Sequence, residues 1–471
     1  MQKDPAPGSR HDLGDPAAHL AGSDDEDPLP LHGRGHYWNP GAVDGVLSVM
    51  THSLFLTFAA WLTLAACGGT DEAATPPPAP SKPPAPSDAV LGAWSDTRGS
   101  ELFWADGRTL EPVNDLSYAV PFFFGTAERS PDGTRLAVGG SEAGVVDIVD
   151  LERMRSLGTI DLPTGTTVDR LHWNEADRIL ATLWGEQSKV AALQPGARKP
   201  IAVHDLGGMI LKSTSAGDKL VILLAPTDGI GQARLALYDG DDVRSVDLPG
   251  VRAGWDESGE QEDYRARQLL PALAVEPSGS RAVVIAPGNR AVEVDLASLT
   301  ATSHDLAQAA SLLERFRNWL EPAAWAKMIE GPELNAVWLP NGLIALSGVR
   351  YSTEGDSIRT TPAGLALVDP GNWSVRHVSD APAWVTLRGD ALLGSAWDAM
   401  SEAQKLYVFD ADGTPRFDLA RRGQADLSQT AGEHLYVSTQ DGRKIEIVDL
   451  ATGETVGRAS PERPAYLVFT E

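Results

Sequence analysis

The side chains that most often catalyse reactions or bind metals are scattered through this chain of 471 residues. It contains no Gly-x-Ser-x-Gly, His-Glu-x-x-His or phosphate-binding loop sequence. The histidines beyond residue 100 have no ligand spacing and are His172, His204, His304, His377 and His434. Because the chain has one cysteine, a disulfide within it and a multi-cysteine zinc site are excluded. We therefore expect no catalytic residue, metal site or cofactor that a sequence motif could reveal.

Two aspartate-rich stretches, 239–242 and 410–413, begin like calcium-binding loops. Both lack the third acidic ligand and the distal glutamate of such a loop. Each follows an apolar run, at a place where a hairpin turn favours aspartate and glycine. We interpret both stretches as turns.

The single cysteine, Cys67, lies at the end of a short apolar run that starts at Leu54 and finishes with Ala65 and Ala66. A membrane-spanning helix needs about 20 apolar residues, so the run is too short to span and is typical of a signal peptide. It resembles the signal of a bacterial lipoprotein, which is cut before a cysteine that then carries a diacylglycerol. No Lys or Arg lies between Met50 and Cys67, which departs from that pattern. The alternative is a buried strand with a free cysteine.

This resemblance divides the chain into four parts. Residues 1–49 are a mis-called start or a disordered leader, and residues 50–66 are the signal peptide. Residues 67–88 are the lipidated cysteine and a proline-rich tether, which favours extended polyproline II. Residues 89–471 form the folded domain. Lipidation of Cys67 implies a cell-envelope protein anchored in a membrane, and Gly68 after it resembles an outer-membrane address facing the periplasm or the cell surface.

The net charge of −26 argues against nucleic acid as a partner and against direct docking on anionic lipid headgroups. We expect a monomer whose membrane contact is the lipid anchor.

An apolar strand that ends in aspartate recurs about every 40 to 45 residues, a period typical of propeller blades. The copies end at Asp106, Asp150, Asp239, Asp295, Asp369, Asp410 and Asp449, with a weaker copy at Gln194. Upstream turns such as Pro131-Asp132-Gly133 and Pro340-Asn341-Gly342 join the first two strands of a unit. These units resemble the WD40-like, YVTN-type repeats of bacterial surface and periplasmic proteins, which implies an all-β propeller.

The repeats predict one propeller of eight four-stranded blades, or seven if the unit around Gln194 is absorbed. The last strand-like run, which starts at Pro464, matches the innermost strand of a blade. The first repeat has no innermost strand of its own, so we expect the C-terminal strand to complete it and close the ring.

Three insertions interrupt the repeats, at 250–268, 306–333 and 350–361, and the second has the apolar spacing of a short helix. Because blade strands alternate in direction, all three fall on one face of the ring, on neighbouring blades. Long insertions are commonly functional. Our candidate binding residues on this face are Trp255, Tyr264, Trp325, Tyr351, Glu354, Asp356 and Arg359.

Propellers serve many functions, so the resemblance leaves several open. We favour a non-catalytic binding platform for a protein or glycan ligand. One alternative is an enzyme similar to propeller lactonases or hydrolases, with carboxylates and a metal in the central channel. Another is an envelope assembly factor, since residues 449–453 resemble the repeat of the propeller lipoprotein in the outer-membrane β-barrel assembly machinery.

Overall fold

A computed structural model describes residues 89–461 and 465–467. The gaps within this range are 97–98, 123, 141–143, 175–176, 259–264, 289, 309–327, 355–356, 399–402, 418, 420–426 and 440–443. The signal peptide, Cys67 and the tether lie outside the described residues, as do Tyr264, Trp325 and Asp356.

Six separate antiparallel sheets of four strands account for most of the described chain. The first contains β1 (Ala89–Asp96), β2 (Gly99–Asp106), β3 (Pro112–Val120) and the last strand, β35 (Ala465–Leu467). The second contains β4 (Phe124–Arg129), β5 (Arg135–Gly140), β6 (Val145–Asp150) and β7 (Arg155–Asp161). The third contains β8 (Thr167–Trp173), β9 (Ile179–Trp184), β10 (Lys189–Leu193) and β11 (Ala202–Asp205).

The other three separate sheets have the same strand order. One contains β17 (Ala272–Val275), β18 (Arg281–Ala286), β19 (Arg290–Asp295) and β20 (Thr300–Asp305). The next contains β27 (Trp384–Arg388), β28 (Ala391–Asp398), β29 (Ala403–Asp410) and β30 (Pro415–Phe417). The last contains β31 (Leu427–Ala431), β32 (His434–Thr439), β33 (Lys444–Asp449) and β34 (Thr455–Ala459).

The remaining strands form one sheet of eleven. It begins with β12 (Met209–Ala216), β13 (Lys219–Ala225), β14 (Gly231–Tyr238), β15 (Val243–Ser258) and β16 (Arg265–Leu269). It continues with β22 (Met328–Trp338), β23 (Ile344–Glu354), β24 (Ser357–Pro362), β25 (Leu365–Asp369), β26 (Ser374–Ser379) and β21 (Ala307–Gln308).

The expectation of eight or seven separate blades is therefore wrong, because the described residues form six separate four-stranded blades and one fused sheet. The physical reason is the insertions. The first extends β15 beyond its blade and adds β16, which pairs antiparallel with β15 and parallel with β22. Through these two pairings, β16 joins the four-stranded unit β12–β15 to the four-stranded unit of β22, β23, β25 and β26.

The C-terminal strand closes the first blade, as the sequence predicts. β35 pairs antiparallel with β1, and Ala93 lies opposite Tyr466. The chain ends thus share one sheet, and β1 has no open edge along these residues.

The predicted helix in 306–333 falls mostly on residues 309–327, which lie outside the described part. The ends of that insertion are strands, namely β21 and the start of β22. No helix occurs among the described residues, so none of them forms an apolar helix that could cross a membrane.

The repeated aspartate closes a local turn. The Oδ1 atom of Asp295 accepts hydrogen bonds from the backbone N–H groups of Ala297 and Ser298, at 3.1 and 2.7 Å. Asp239 binds the N–H groups of Asp241 and Asp242 in the same way, at 3.1 and 3.0 Å. These bonds explain why the third strand of a unit ends in aspartate, and they support the turn interpretation of the stretch at 239–242.

The core lies between neighbouring blades. Val221 and Leu223 of β13, for example, pack in one buried cluster with Val284 of β18 and Val292 of β19. The first strands of successive blades also contact each other, as β12 does β17 and β17 does β22. Blades of a ring approach each other most closely at its centre, so these are the innermost strands, and they line the central channel.

We predict that deleting residues 465–471 lowers the free energy of unfolding by more than about 1 kcal/mol, the usual cost of one substitution. The deletion removes the strand that pairs with β1 and exposes two sheet edges, which also favours aggregation. Denaturant unfolding and light scattering measure both effects. A truncation that removes only residues 468–471 keeps β35 and serves as the control. Equal stability of the two truncated chains would contradict the closure.

Candidate functional site

The three insertions meet in a single region of the fused sheet. We call it the sheet extension, and it consists of 251–258 of β15, all of β16, 328–333 of β22, 349–354 of β23, and all of β24. Neighbouring strands of the extension are hydrogen-bonded to one another. The sequence places these insertions on the same face of the ring, and the structure brings together the first insertion, the end of the second and the third, while β21 at the start of the second pairs with β26 instead.

Two of the candidate aromatic residues lie in one row across the sheet extension. Trp255 lies opposite Gln268, and Tyr351 lies opposite Gly331. Gln268 and Gly331 occupy matching positions on β16 and β22, since the preceding residues, Arg267 and Glu330, are paired. Trp255 and Tyr351 are both half-buried.

The polar candidates are only partly placed. Glu354 ends β23 opposite Ser357, and Arg359 on β24 lies opposite Ser352. The side chains of Glu354 and Arg359 are outside the described part of the structure, so the row of Trp255 and Tyr351 is the best-defined piece of the predicted face.

Next to this row is a buried charged cluster that consists of Lys212, Glu333 and Tyr351. The Nζ atom of Lys212 lies 3.8 Å from Oε1 of Glu333, and each of these two side chains is 10 % exposed. The Tyr351 hydroxyl donates a hydrogen bond to Oε2 of Glu333 at 3.3 Å. Of these three residues, only Tyr351 was a candidate from the sequence.

Lys212 and Glu333 lie on innermost strands that are not neighbours in the ring. Lys212 is on β12 and Glu333 is on β22, while β17 lies between these strands and contacts both. Residues 272–275 of β17 are short apolar side chains, Ala, Leu, Ala and Val. The charged pair therefore joins the base of the sheet extension to β12, although β17 lies between their strands.

Burial sets the electrostatics of the cluster. It lowers the pKa of Lys212, against the opposing effect of the Glu333 charge. It also raises the pKa of Glu333, against the opposing effects of Lys212 and of the bond from Tyr351. The pKa of Tyr351 is raised too, first by burial and then by the nearby carboxylate. The pKa values of the ammonium and the carboxyl thus move towards each other, which is common at functional sites and also occurs in structural ion pairs.

A second carboxyl, which is half-buried, belongs to the neighbouring blade. Asp169 is the extra residue of a bulge in β8, between Val168 and Arg170. Thr182 donates a hydrogen bond to Asp169 Oδ2 at 2.8 Å, and the side chain of Ser213 also bonds to this carboxyl. Burial raises the pKa of Asp169. Ser213 follows Lys212 on β12, and consecutive side chains of a strand point to opposite faces, so this carboxyl and the Lys212–Glu333 pair lie on opposite sides of β12.

One buried amide in the row has no hydrogen-bond partner. Gln268 is 3 % exposed, and its Nε2 atom makes no hydrogen bond within the described residues. Sequence reasoning overlooked Gln268, Lys212, Glu333 and Asp169, because a single polar residue in a strand carries no local pattern. The available signal was that Gln268 and Glu333 lie at the ends of two predicted insertions.

The described residues contain no group of three or more His, Cys, Asp or Glu side chains arranged to hold a metal ion. The cluster as it stands offers an ammonium, a carboxyl, a hydroxyl and an amide next to two aromatic rings. Such a combination can bind a polar ligand through several hydrogen bonds.

Comparisons with known proteins define the fold. No protein-family model matches the chain, and no curated protein matches it. Among solved structures, it is similar to the dihydro-heme d1 dehydrogenase NirN in complex with DHE, at 12 % identity and a TM-score of 0.53, over 80 % of this chain and 75 % of that one. It is also similar to AztD from Citrobacter koseri, at 14 % identity and a TM-score of 0.48, over 80 % and 96 % of the two chains.

BamB from Moraxella catarrhalis gives a weaker match, at 9 % identity and a TM-score of 0.41, over 78 % of this chain and 90 % of that one. At such low identity, a structural likeness shows the fold alone. Together with the sheet topology, the likeness to NirN shows that the described residues from Ala89 onward form an all-β propeller.

We predict that Lys212→Met lowers the free energy of unfolding by about 3 kcal/mol at neutral pH, because it leaves the buried Glu333 carboxylate without a counter-charge. The double variant Lys212→Met/Glu333→Met removes both charges and loses less stability than the single variant. Denaturant unfolding measures each value. The control is Lys189→Met, which breaks the more exposed ion pair with Asp205 and should cost less than about 1 kcal/mol.

The pH dependence gives an independent check on the single variant. Without Lys212, the pKa of Glu333 rises further above its unfolded value, so the folded state binds more protons than the unfolded state does. Stability relative to the wild type then increases as the pH falls through the folded pKa towards 4.5, the ordinary pKa of a glutamate. A destabilisation that is independent of pH would mean that Glu333 is not charged in the variant.

Proposed function

We propose that the chain is a membrane-anchored, extracytoplasmic β-propeller lipoprotein that acts as a non-catalytic binding platform. The anchor is a lipid on Cys67, and the proline-rich tether separates the propeller from the bilayer. The binding face is the sheet extension. This proposal places the protein in the cell envelope, in the outer membrane, where the propeller faces the periplasm or the cell surface.

The observation that carries the platform is the assembly of the three insertions into one sheet. A blade-to-blade connection needs only a few residues, yet these strands run well past their blades and pair with each other. The extension has a half-buried tryptophan and a half-buried tyrosine in one row, next to buried polar groups. Aromatic residues surrounded by polar ones are typical of the centre of a binding surface.

The strand direction of β15 supports the choice of face. It begins at Val243, beside the turn that contains Asp241, and ends at Ser258 in the sheet extension. The short turns such as that at Asp241 therefore lie at the opposite end of the strands, and they provide a natural control surface.

We predict that Cys67→Ser abolishes lipidation and leaves the precursor unprocessed. Metabolic labelling with palmitate measures lipid incorporation, and the precursor mass shows whether residues 1–49 are translated. A matched Ser81→Ala change in the tether should leave labelling unchanged. Retained label on the Cys67→Ser chain would overturn the anchor.

We predict that Trp255→Ala weakens binding of an envelope partner by on the order of 30-fold, which is about 2 kcal/mol, while the melting temperature of the propeller is preserved. The measurement is affinity capture from envelope extract, followed by titration of the captured partner. The control is Asp241→Ala, at the opposite end of β15. If Asp241→Ala weakens binding and Trp255→Ala does not, the partner binds the opposite face and the sheet extension is not the binding face. If the wild-type chain captures nothing, the platform itself is wrong.

A further inference from the structure

One buried donor in the sheet extension lacks a partner among the described residues, and a buried ammonium lies at the base of the extension. Gln268 is 3 % exposed, and its amide Nε2 makes no hydrogen bond among the described residues. The Lys212 ammonium lies nearby, with its Nζ atom 3.8 Å from Oε1 of Glu333, a separation longer than a hydrogen bond. Leaving a buried donor unpaired is destabilising. The Gln268 amide is therefore best explained by an acceptor atom that a bound molecule supplies.

The two donors share a small region. In the row of the extension, Gln268 lies between Trp255 on one side and Gly331 on the other. Gly331 lies opposite Tyr351, whose hydroxyl bonds to the same Glu333 that faces Lys212. A ligand at this row can thus contact an aromatic ring, an amide donor and the charged pair.

Charge decides what kind of ligand fits. The Lys212 ammonium and the Glu333 carboxylate neutralise each other. An anionic ligand would bring a further negative charge next to the Glu333 carboxylate in a buried site, which is costly. A cation would compete with Lys212 and leave the free Gln268 donor unpaired. A neutral ligand that carries hydroxyl groups avoids both problems.

Hydroxyl groups match the cluster atom by atom. A hydroxyl oxygen accepts hydrogen bonds from Gln268 Nε2 or Lys212 Nζ. The same hydroxyl donates a hydrogen bond to a carboxylate oxygen of Glu333. The apolar face of a ring that carries such hydroxyls packs on Trp255, which is half-buried. We propose that the row Trp255–Gln268–Gly331–Tyr351, with Lys212 and Glu333, binds a neutral saccharide. This inference rests on the proposed binding platform and assigns its ligand class.

The test uses the full chain in detergent and titrates it with defined sugars. The neutral probes are maltose, cellobiose and chitobiose, and the anionic probe is digalacturonate. Calorimetry measures affinity, and tryptophan fluorescence reports packing against Trp255. We expect at least one neutral disaccharide to bind with a dissociation constant below about 10 mM. Gln268→Leu should weaken that binding at least tenfold, because it removes the amide donor.

Gln232→Leu is the matched control. That amide already donates to the Leu248 carbonyl oxygen within its own blade, so its loss should leave sugar binding unchanged. Lys212→Met/Glu333→Met serves as a second variant if Gln268→Leu does not fold, and it too should weaken binding at least tenfold. The proposal is overturned if none of the neutral probes binds, whether or not digalacturonate does. If digalacturonate does not bind either, buried water satisfies the Gln268 amide.

The outcomes separate this inference from the proposed function. If Trp255→Ala still weakens binding of a captured partner while no neutral sugar binds, the platform stands and the saccharide site falls. If the wild-type chain binds neither a partner nor a sugar, both are wrong.

Discussion

The parallel pairing between β16 and β22 is the interaction on which the rest of the sheet extension depends. A strand that continues beyond its blade presents unpaired N–H and C=O groups, and such an edge must be paired or covered. Here β16 covers the edge of β15, and β22 covers the edge of β16. The backbones of β16 and β22 approach each other closely, since a Cβ atom on Gly331 would lie 2.0 Å from the backbone oxygen of Gln268. The φ of Gly331, 126°, also favours glycine.

The same pairing determines where the buried charge lies. β22 is both the innermost strand of its blade and a strand of the extension, so its residue Glu333 belongs to both. Glu333 meets Lys212 from another innermost strand, and this contact ties the extension to the ring. A buried ion pair is a weak source of stability, because removing two charges from water costs several kcal/mol for each ion. The pair at 3.8 Å, with one further bond from Tyr351 among the described residues, is thus better explained by a role in binding than by a role in folding.

Local features of the fold could be predicted from the sequence, whereas non-local pairing could not. The aspartate that ends the third strand of a unit binds N–H groups two and three residues later, so its signal lies within one turn. Ring closure was also predictable, since the first repeat lacks a strand that the last segment supplies. The blade count was wrong because the pairing of β16 with β22 joins segments about 60 residues apart, and no local pattern encodes such a register.

Only the part of the candidate site that follows from the alternating direction of the strands could be predicted from the sequence. Strand alternation placed the insertions on one face, and Trp255 and Tyr351 lie in one row of the sheet extension. It could not find Lys212, whose strand belongs to an ordinary blade, and whose partner Glu333 lies on a strand that β17 separates from it. A propeller suits this arrangement physically, because each blade is fixed between its neighbours and closure by β35 fixes the ring. Side chains from β12 and β22 can then be held a few ångströms apart without a direct link between their strands, so the ring supplies the rigidity that a hydrogen-bonding site on inserted strands needs.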